Sequence, residues 1–350
     1  MLPILGCMRP LRTGSSSALA LIALVAVASC ANAPPDPIKR RSIPPLFAEP
    51  TASPAGSSEG GGSGPLGLVG DIVFVSDRDG QGIQLYAMDP NGRHTTMVTS
   101  GPLGHIHPSW SPDGTELAFA AASGDVQTDD LDLIILRGDG TLDPLTSGPG
   151  RDGAPSWSPD GREIAFETDA AGEPHIALVG TEGGGSPRFL GGPTPAYQPD
   201  WSPDDSRIAF ALREPNCPLP DDRCPQHIHV VDAGGGGLVR LTVGDAHDAQ
   251  PAWSPDGRRI AFSSNRADGN IDVWVMDADG GRPHRLTHAE GTDLGPAWSP
   301  DGSRIAFTTD RDGDLEVYTM TAEGRDQTDV SNDPSASDFT PTWRPQATGA

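Results

Sequence analysis

The chain has 350 residues, and its 24 basic against 48 acidic side chains give a formal net charge of −24. So acidic a surface is a poor match for nucleic acid or anionic lipid, and neither is expected as a partner. Solubility is the simplest use of the charge, with a preference for basic or cationic partners as the alternative.

Residues 1–30 read as an export signal. Arg9 and Arg12 precede the apolar run Ala18 to Val27, which is shorter than the ~20 residues that cross a bilayer. A start at Met8 would give a more usual short basic region. Val27-Ala28-Ser29-Cys30 resembles the lipobox of bacterial lipoproteins, in which the cysteine is lipidated and becomes the first residue after cleavage. An ordinary cleavage site with a chance cysteine is the alternative. The resemblance implies a protein held on the periplasmic or cell-surface side of a membrane through lipid at Cys30 alone.

Residues 31–69 are rich in Pro, Gly, Ser and Ala, with few apolar residues to form a core, and a disordered tether is expected there. A flexible chain of this length spans roughly 35 Å end to end. Gly56-Ser57-Ser58-Glu59-Gly60 formally matches a serine-hydrolase elbow, but no strand precedes it and no helix follows it.

From residue 70 to residue 346 one phrase recurs, leaving 347–350 as a disordered tail. Trp110, Trp157, Trp201, Trp253, Trp298 and Trp343 stand in near-copies of Trp-Ser-Pro-Asp-Gly, about 45 residues apart. Each turn leads to a strand like Ile260-Ala261-Phe262, whose alternation puts bulky residues on one face and a small one on the other. Third strands follow at Gln84 to Asp89, Asp132 to Arg137, His175 to Gly180, His227 to Asp232, Asp272 to Asp277 and Glu316 to Thr321. With a fourth strand each, the repeats predict an all-β, six-bladed propeller of four antiparallel strands per blade. The first Ile-Val-Phe strand, at Asp71 to Ser76, lacks a Trp strand before it, and the last Trp strand, Thr340 to Arg344, lacks an Ile-Ala-Phe strand after it. Closure by one carboxy-terminal plus three amino-terminal strands is therefore expected, which removes exposed sheet edges.

Cys217 and Cys224 lie in the one overlong repeat, within a Pro-rich insertion from Arg213 to Gln226. An exported protein meets an oxidising compartment, so a disulfide is the first reading. A metal site built from both cysteines with His227 and His229 is the rival. Trp-Ser-Pro-Asp-Gly itself is expected to be a hairpin turn, with Pro fixing φ, Asp bonding to backbone and Gly taking a positive φ. Asp77-Arg78-Asp79-Gly80 and the stretch from Asp310 to Asp314 are also read as turns, since their glycine is misplaced for an EF-hand.

The position five residues before each Trp reads His105, Asp152, Ala196, Asp248, Asp293 and Asp338. If these residues lie in the loops between blades, they make an acidic rim around one mouth of the central channel, although each Asp is also explained by local backbone bonding. The rim departs from the repeat at His105, His107, Tyr197, Gln198, His247, Gln250 and Phe339. The expected binding surface is His105, His107, Asp152, Tyr197, Gln198, His247, Asp248, Asp293, Asp338 and Phe339, with Tyr197 and Phe339 as aromatic anchors. His105 and His107 can share a metal, but His247 is three blades away, so no metal or other cofactor is expected.

These phrases, over about Asp71 to Pro345, resemble the repeats of the TolB-type propeller, also called the PD40 repeat. The resemblance implies an extracytoplasmic interaction module, which in TolB engages a peptidoglycan-associated lipoprotein. No counterpart of TolB's separate amino-terminal domain is expected, and the lipobox implies an anchor of the chain's own, so only the propeller and its interaction habit are expected to carry over. The expected function is a monomeric, membrane-anchored propeller that binds an envelope protein, and not an enzyme. The alternatives are a glycan- or small-ligand-binding propeller, or a metal-dependent sugar lyase using His105, His107 and His247. Related propellers precede a peptidase domain, but only seven residues follow Trp343, so no peptidase is expected.

Overall fold

The computed structural model describes residues 70–346, apart from 81, 102, 123–129, 149, 184, 215–216 and 218–223. The export signal with Cys30, the tether and the tail at 347–350 lie outside the described residues.

Twenty-four strands form six four-stranded antiparallel sheets, with no helix among the described residues. Blade 1 is ordered β24 (Asp338–Trp343), β1 (Ile72–Ser76), β2 (Gln84–Met88) and β3 (Thr96–Met97). Blade 2 runs β4 (His105–Trp110), β5 (Leu117–Ala122), β6 (Leu131–Leu136) and β7 (Leu142–Pro144). Blade 3 runs β8 (Asp152–Trp157), β9 (Glu163–Thr168), β10 (His175–Gly180) and β11 (Arg188–Phe189). Blade 4 runs β12 (Ala196–Trp201), β13 (Arg207–Arg213), β14 (Gln226–Asp232) and β15 (Val239–Arg240). Blade 5 runs β16 (Asp248–Trp253), β17 (Arg259–Ser264), β18 (Asp272–Asp277) and β19 (His284–Arg285). Blade 6 runs β20 (Asp293–Trp298), β21 (Arg304–Thr309), β22 (Glu316–Thr321) and β23 (Thr328–Asp329). The one-plus-three closure is observed: β24 pairs with β1, with Ile72 opposite Trp343 and Ser76 opposite Asp338.

The second strands carry the core. Phe74, Phe119, Phe166, Phe262 and Phe307 are wholly buried, as are the isoleucines and alanines beside them. Each sheet presents bulky side chains to its neighbour's small ones, so apolar area is removed from water between blades rather than within them. The tryptophans pin adjacent blades together. Trp157 donates Nε1–H to the carbonyl of Ser109 at 3.0 Å, and Trp298 to that of Ala252 at 3.1 Å. Arg207 lies over Trp253, Arg259 over Trp298 and Arg344 over Trp110, each guanidinium coming from the preceding blade.

The Trp-Ser-Pro-Asp-Gly phrase is a hairpin turn. In the first copy Gly114 has φ 67° and gives its N–H to the carbonyl of Ser111, while Asp113 accepts from the Ser111 hydroxyl and the Thr115 N–H. Asp205 takes the glycine's place in blade 4 at φ 62°, a conformation that Asp tolerates better than most residues. The Asp77 and Asp310 stretches are turns as well, closed by Gly80 N–H to the Asp77 carbonyl and Gly313 N–H to the Asp310 carbonyl. In the insertion of blade 4, Cys217 and Cys224 are disulfide-bonded, with their Cα atoms 5.9 Å apart. Glu214 N–H bonds to the Pro225 carbonyl at the base of this loop.

Candidate functional site: the channel mouth

The residues five before each Trp do not lie in loops. They are the first residues of the innermost strands β4, β8, β12, β16, β20 and β24. That placement changes the meaning of the acidic positions. Asp248, Asp293 and Asp338 are fully buried, each held by an arginine two residues past the end of the adjacent second strand. Arg266 donates to Asp248 at 2.7 Å and lies over Phe262 and Trp274. Arg311 grips both oxygens of Asp293 and lies over Phe307 and Tyr318. Arg78 donates to Asp338 at 2.7 Å and lies over Phe74 and Tyr86. These three carboxylates are internal clamps of blades 5, 6 and 1, and the expected acidic rim is corrected accordingly.

Burial pushes the Asp248 carboxyl up, but its contacts with His227, Arg266 and Ser264 outweigh that and hold it below the usual range. For Asp338 burial wins over Arg78, and the carboxyl is pushed up to about 6. Asp152 has no arginine, because Ala170 stands at that place. Burial raises Asp152, with bonds to Thr168 and Thr146 opposing.

Two further expectations are corrected by burial. Tyr197 and Phe339, expected as exposed anchors, are 7% and 1% exposed and belong to the cores between blades. They occupy the second place of their strands, where the side chain faces the neighbouring sheet. His105 is buried too. Its Nδ1 meets Gln84 Oε1 at 2.9 Å and Thr99 Oγ1 at 3.0 Å, its ring sits edge-on to Phe119, and burial lowers its pKa to about 4. His105 is thus turned into the junction with blade 1, whereas His107 meets blade 3, so the two do not converge on one ion. His247 is half-buried, and its N–H bonds to Asn265. Among the described residues no three His, Cys, Asp or Glu side chains are placed to hold a metal.

What lines the channel is the third residue of each inner strand: His107, Ala154, Gln198, Gln250, Gly295 and Thr340. All six have positive φ, between 46° and 62°, and all are half-buried. Each is followed by a proline, Pro108, Pro155, Pro199, Pro251, Pro296 and Pro341. The strand pairing slips by one residue here in every blade. This is a β-bulge, where a proline costs no ladder hydrogen bond. The bulge frees an N–H that is taken by the blade before it. Ala154 donates to His107 Nδ1 at 3.3 Å, Gln198 to Glu167 Oε2 at 3.3 Å, Gln250 to Gln198 Oε1 at 3.1 Å, Gly295 to Gln250 Oε1 at 3.0 Å and Thr340 to Thr308 Oγ1 at 3.0 Å. The channel wall is a head-to-tail polar relay.

Two carboxyls missed in the sequence belong to this wall. Asp200 joins three blades, accepting from Trp253 N–H at 2.7 Å and Ser156 Oγ at 3.3 Å. Burial pushes its pKa up to about 7, against those bonds. Glu167 is likewise pushed up by burial to about 7. The signal for Asp200 is visible in the repeat: the residue before each Trp is Ser109, Ser156, Asp200, Ala252, Ala297 or Thr342, and one of these is charged. The wall can therefore offer hydrogen-bond donors and acceptors and up to two negative charges on one side.

A family model described as the TolB beta propeller domain matches residues 94–218 and 266–348. The crystal structure of TolB from Acinetobacter baumannii is similar with a TM-score of 0.67 and 23% identity, covering 79% of this chain and 67% of that one. A putative TolB from Agrobacterium tumefaciens gives a TM-score of 0.60 at 23% identity, covering 79% and 99%. At these identities the likeness is one of fold. The uncharacterized peptidase YuxL of Bacillus subtilis is 36% identical over 59 residues, which is 17% of this chain and 9% of that protein.

Proposed function

The chain belongs to the TolB beta propeller family, and from that membership we propose that it is a protein-interaction module of the cell envelope. In this reading it is exported, held at a membrane through lipid on Cys30, and engages an envelope protein as a monomeric ring. The observation that carries the proposal is the division of labour in the channel wall. The frame repeats from blade to blade, while the half-exposed positions His107, Gln198, Gln250 and Thr340 differ. Rigid scaffolds with divergent exposed positions are a common basis for recognition. The glutamines match backbone or side-chain amides, and Glu167 with Asp200 favours a basic group, so the partner segment should be amide-rich or basic.

A lyase-like reading needs converging histidines, and the separate surroundings of His105, His107 and His247 do not favour it. The likeness to YuxL spans 9% of that protein and carries no activity over.

The test is a crosslinking pull-down from envelope extract with the mature chain as bait. Gln198→Ala and Gln250→Ala should weaken the captured partner more than Asp113→Ala or Asp256→Ala at the turns on the opposite face. Salt should weaken it too, since exposed charges are screened over about 8 Å at physiological ionic strength. Equal effects on both faces refute the channel mouth as the working surface.

A further inference from the structure

The described chain begins on the face that carries the Trp-Ser-Pro-Asp-Gly turns. The Asp71 carbonyl accepts from Arg344 N–H, and Ile72 stands opposite Trp343, so residue 70 lies at the turn end of blade 1. The same face holds a groove of about 260 Å³ between the turns of blades 4 and 5, lined by Pro203, Asp204, Arg207, Trp253, Pro255 and Asp256.

The buried Trp253 is the floor of this groove, with Arg207 over its ring at 5.0 Å. Pro203 and Pro255 are exposed on the walls, and Gly257, at φ 67°, brings no side chain to fill the space. Asp204 and Asp256 stand exposed at the rim, each fixed through one oxygen. Asp204 Oδ1 accepts from the hydroxyls of Ser202 at 2.6 Å and Ser206 at 2.7 Å. Asp256 Oδ1 accepts from the Ser254 hydroxyl at 2.6 Å and the Arg258 N–H at 3.1 Å. These bonds hold Asp204 down to about 2 and Asp256 below the usual range, so both rim carboxylates are charged at neutral pH. An aromatic floor, proline walls and a fixed anionic rim suit an extended, proline-containing segment that carries cations.

The chain has such a segment outside the described residues. Between Cys30 and residue 70 the basic residues are Lys39, Arg40 and Arg41, and Ile43-Pro44-Pro45-Leu46-Phe47 follows one residue later. We propose that residues 39–47 dock in this groove, with Pro44 and Pro45 on Trp253 and the basic triad against Asp204 and Asp256. Prolines favour an extended chain before binding, so less conformational freedom is lost on docking. The length fits as well. A stretch of roughly 23 residues, the distance from Phe47 to residue 70, spans about 26 Å as a coil and up to about 78 Å when extended. Because the segment is joined to the ring, its effective concentration is about millimolar, and a weak groove suffices. Docking needs neither the lipid nor a partner at the channel mouth. With lipid on Cys30, it sets the turn face toward the membrane and the channel mouth away from it.

Lys39 is the chain's one lysine, which makes zero-length crosslinking specific. A carbodiimide joins its amine to a carboxylate in contact as an amide, arginines do not react, and products through the amino-terminal amine are separated by peptide mapping. In the mature chain carrying Cys30→Ala, the expected product is a monomer with Lys39 joined to Asp204 or Asp256. Its yield should be unchanged by dilution and lowered by salt. The double variant Arg40→Glu with Arg41→Glu leaves Lys39 and the ring intact. It should lose most of the crosslink and shift the NMR signal of the Trp253 indole N–H, while that of Trp298, in the equivalent place between blades 5 and 6, stays still. Crosslinks spread over Asp113, Asp160 and Asp301 in the equivalent turns would reduce the effect to general attraction and overturn the proposal. Dimers that grow with concentration, or a Trp253 signal that the double variant does not move, would overturn it too.

Discussion

The guanidinium of Arg78 donates to Asp338 at 2.7 Å across 260 residues of chain, so the two ends of the ring are locked by a buried ion pair as well as by the β24–β1 ladder. Asp338→Ala leaves Arg78 between Phe74 and Tyr86 with its counter-charge gone. Breaking a buried pair on one side typically costs about 3–5 kcal/mol. Chemical denaturation should show a loss of that order, while Asp113→Ala in an exposed turn should cost about 1 kcal/mol or less. Deleting Thr340 to Ala350 removes most of β24 and should lower stability further or cause aggregation. Unchanged unfolding of the deletion would contradict closure.

The half-buried carboxyls of the channel wall predict a pH dependence. The folded pKa of Asp200 lies near 7, above the ordinary value of 3.8, and that of Glu167 is raised in the same direction. A raised acid holds its proton more tightly in the folded state, so stability falls as pH rises from about 4 to 7 and levels off beyond. Asp200→Asn keeps an acceptor for Trp253 N–H and removes the titration. Above pH 7 the variant should be more stable than the wild type by about 2 kcal/mol, allowing for water in the channel. Parallel stability curves for both proteins would refute a proton-linked Asp200.

The insertion of blade 4 should contain no free thiol. Titration of unfolded, unreduced mature protein carrying Cys30→Ala should find Cys217 and Cys224 unreactive until a reductant is added. Two free thiols with stoichiometric zinc would restore the metal reading.

Lipidation of Cys30 is testable by growth with a labelled fatty acid. The wild type should carry label and Cys30→Ala should not. Equal labelling of both, or of neither, removes the anchor from the proposed function.

The strand phrases and the closure were legible in the sequence because a repeat reports its own boundaries: Trp343 without a following Ile-Ala-Phe strand pairs with Ile72, which has no preceding Trp strand. The roles of the acidic positions were not. Whether Asp248 faces water or Arg266 depends on a side chain 18 residues away that returns over Phe262 and Trp274, a pairing that shows only when the repeats are aligned and Arg78, Arg266 and Arg311 fall at one place. Tyr197 and Phe339 were misread because divergence between repeats marks core variation as well as contact surfaces. The bulge could have been found, since a proline stands two residues before each of the six repeated Trp residues, and a proline repeated inside a strand signals an interrupted ladder.

Arg344 N–H bonds to the carbonyl of Asp71 at 2.6 Å, which places the beginning and the finish of the ring side by side in one blade. Joining them by a short linker and opening the chain at another hairpin turn, such as the one exposed at Asp301 and Ser303, would give a permuted protein with the strand contacts between blades retained. The order in which the blades are encoded is thus one of several linear readings of the same circle, and the circle, not the reading, holds the structure.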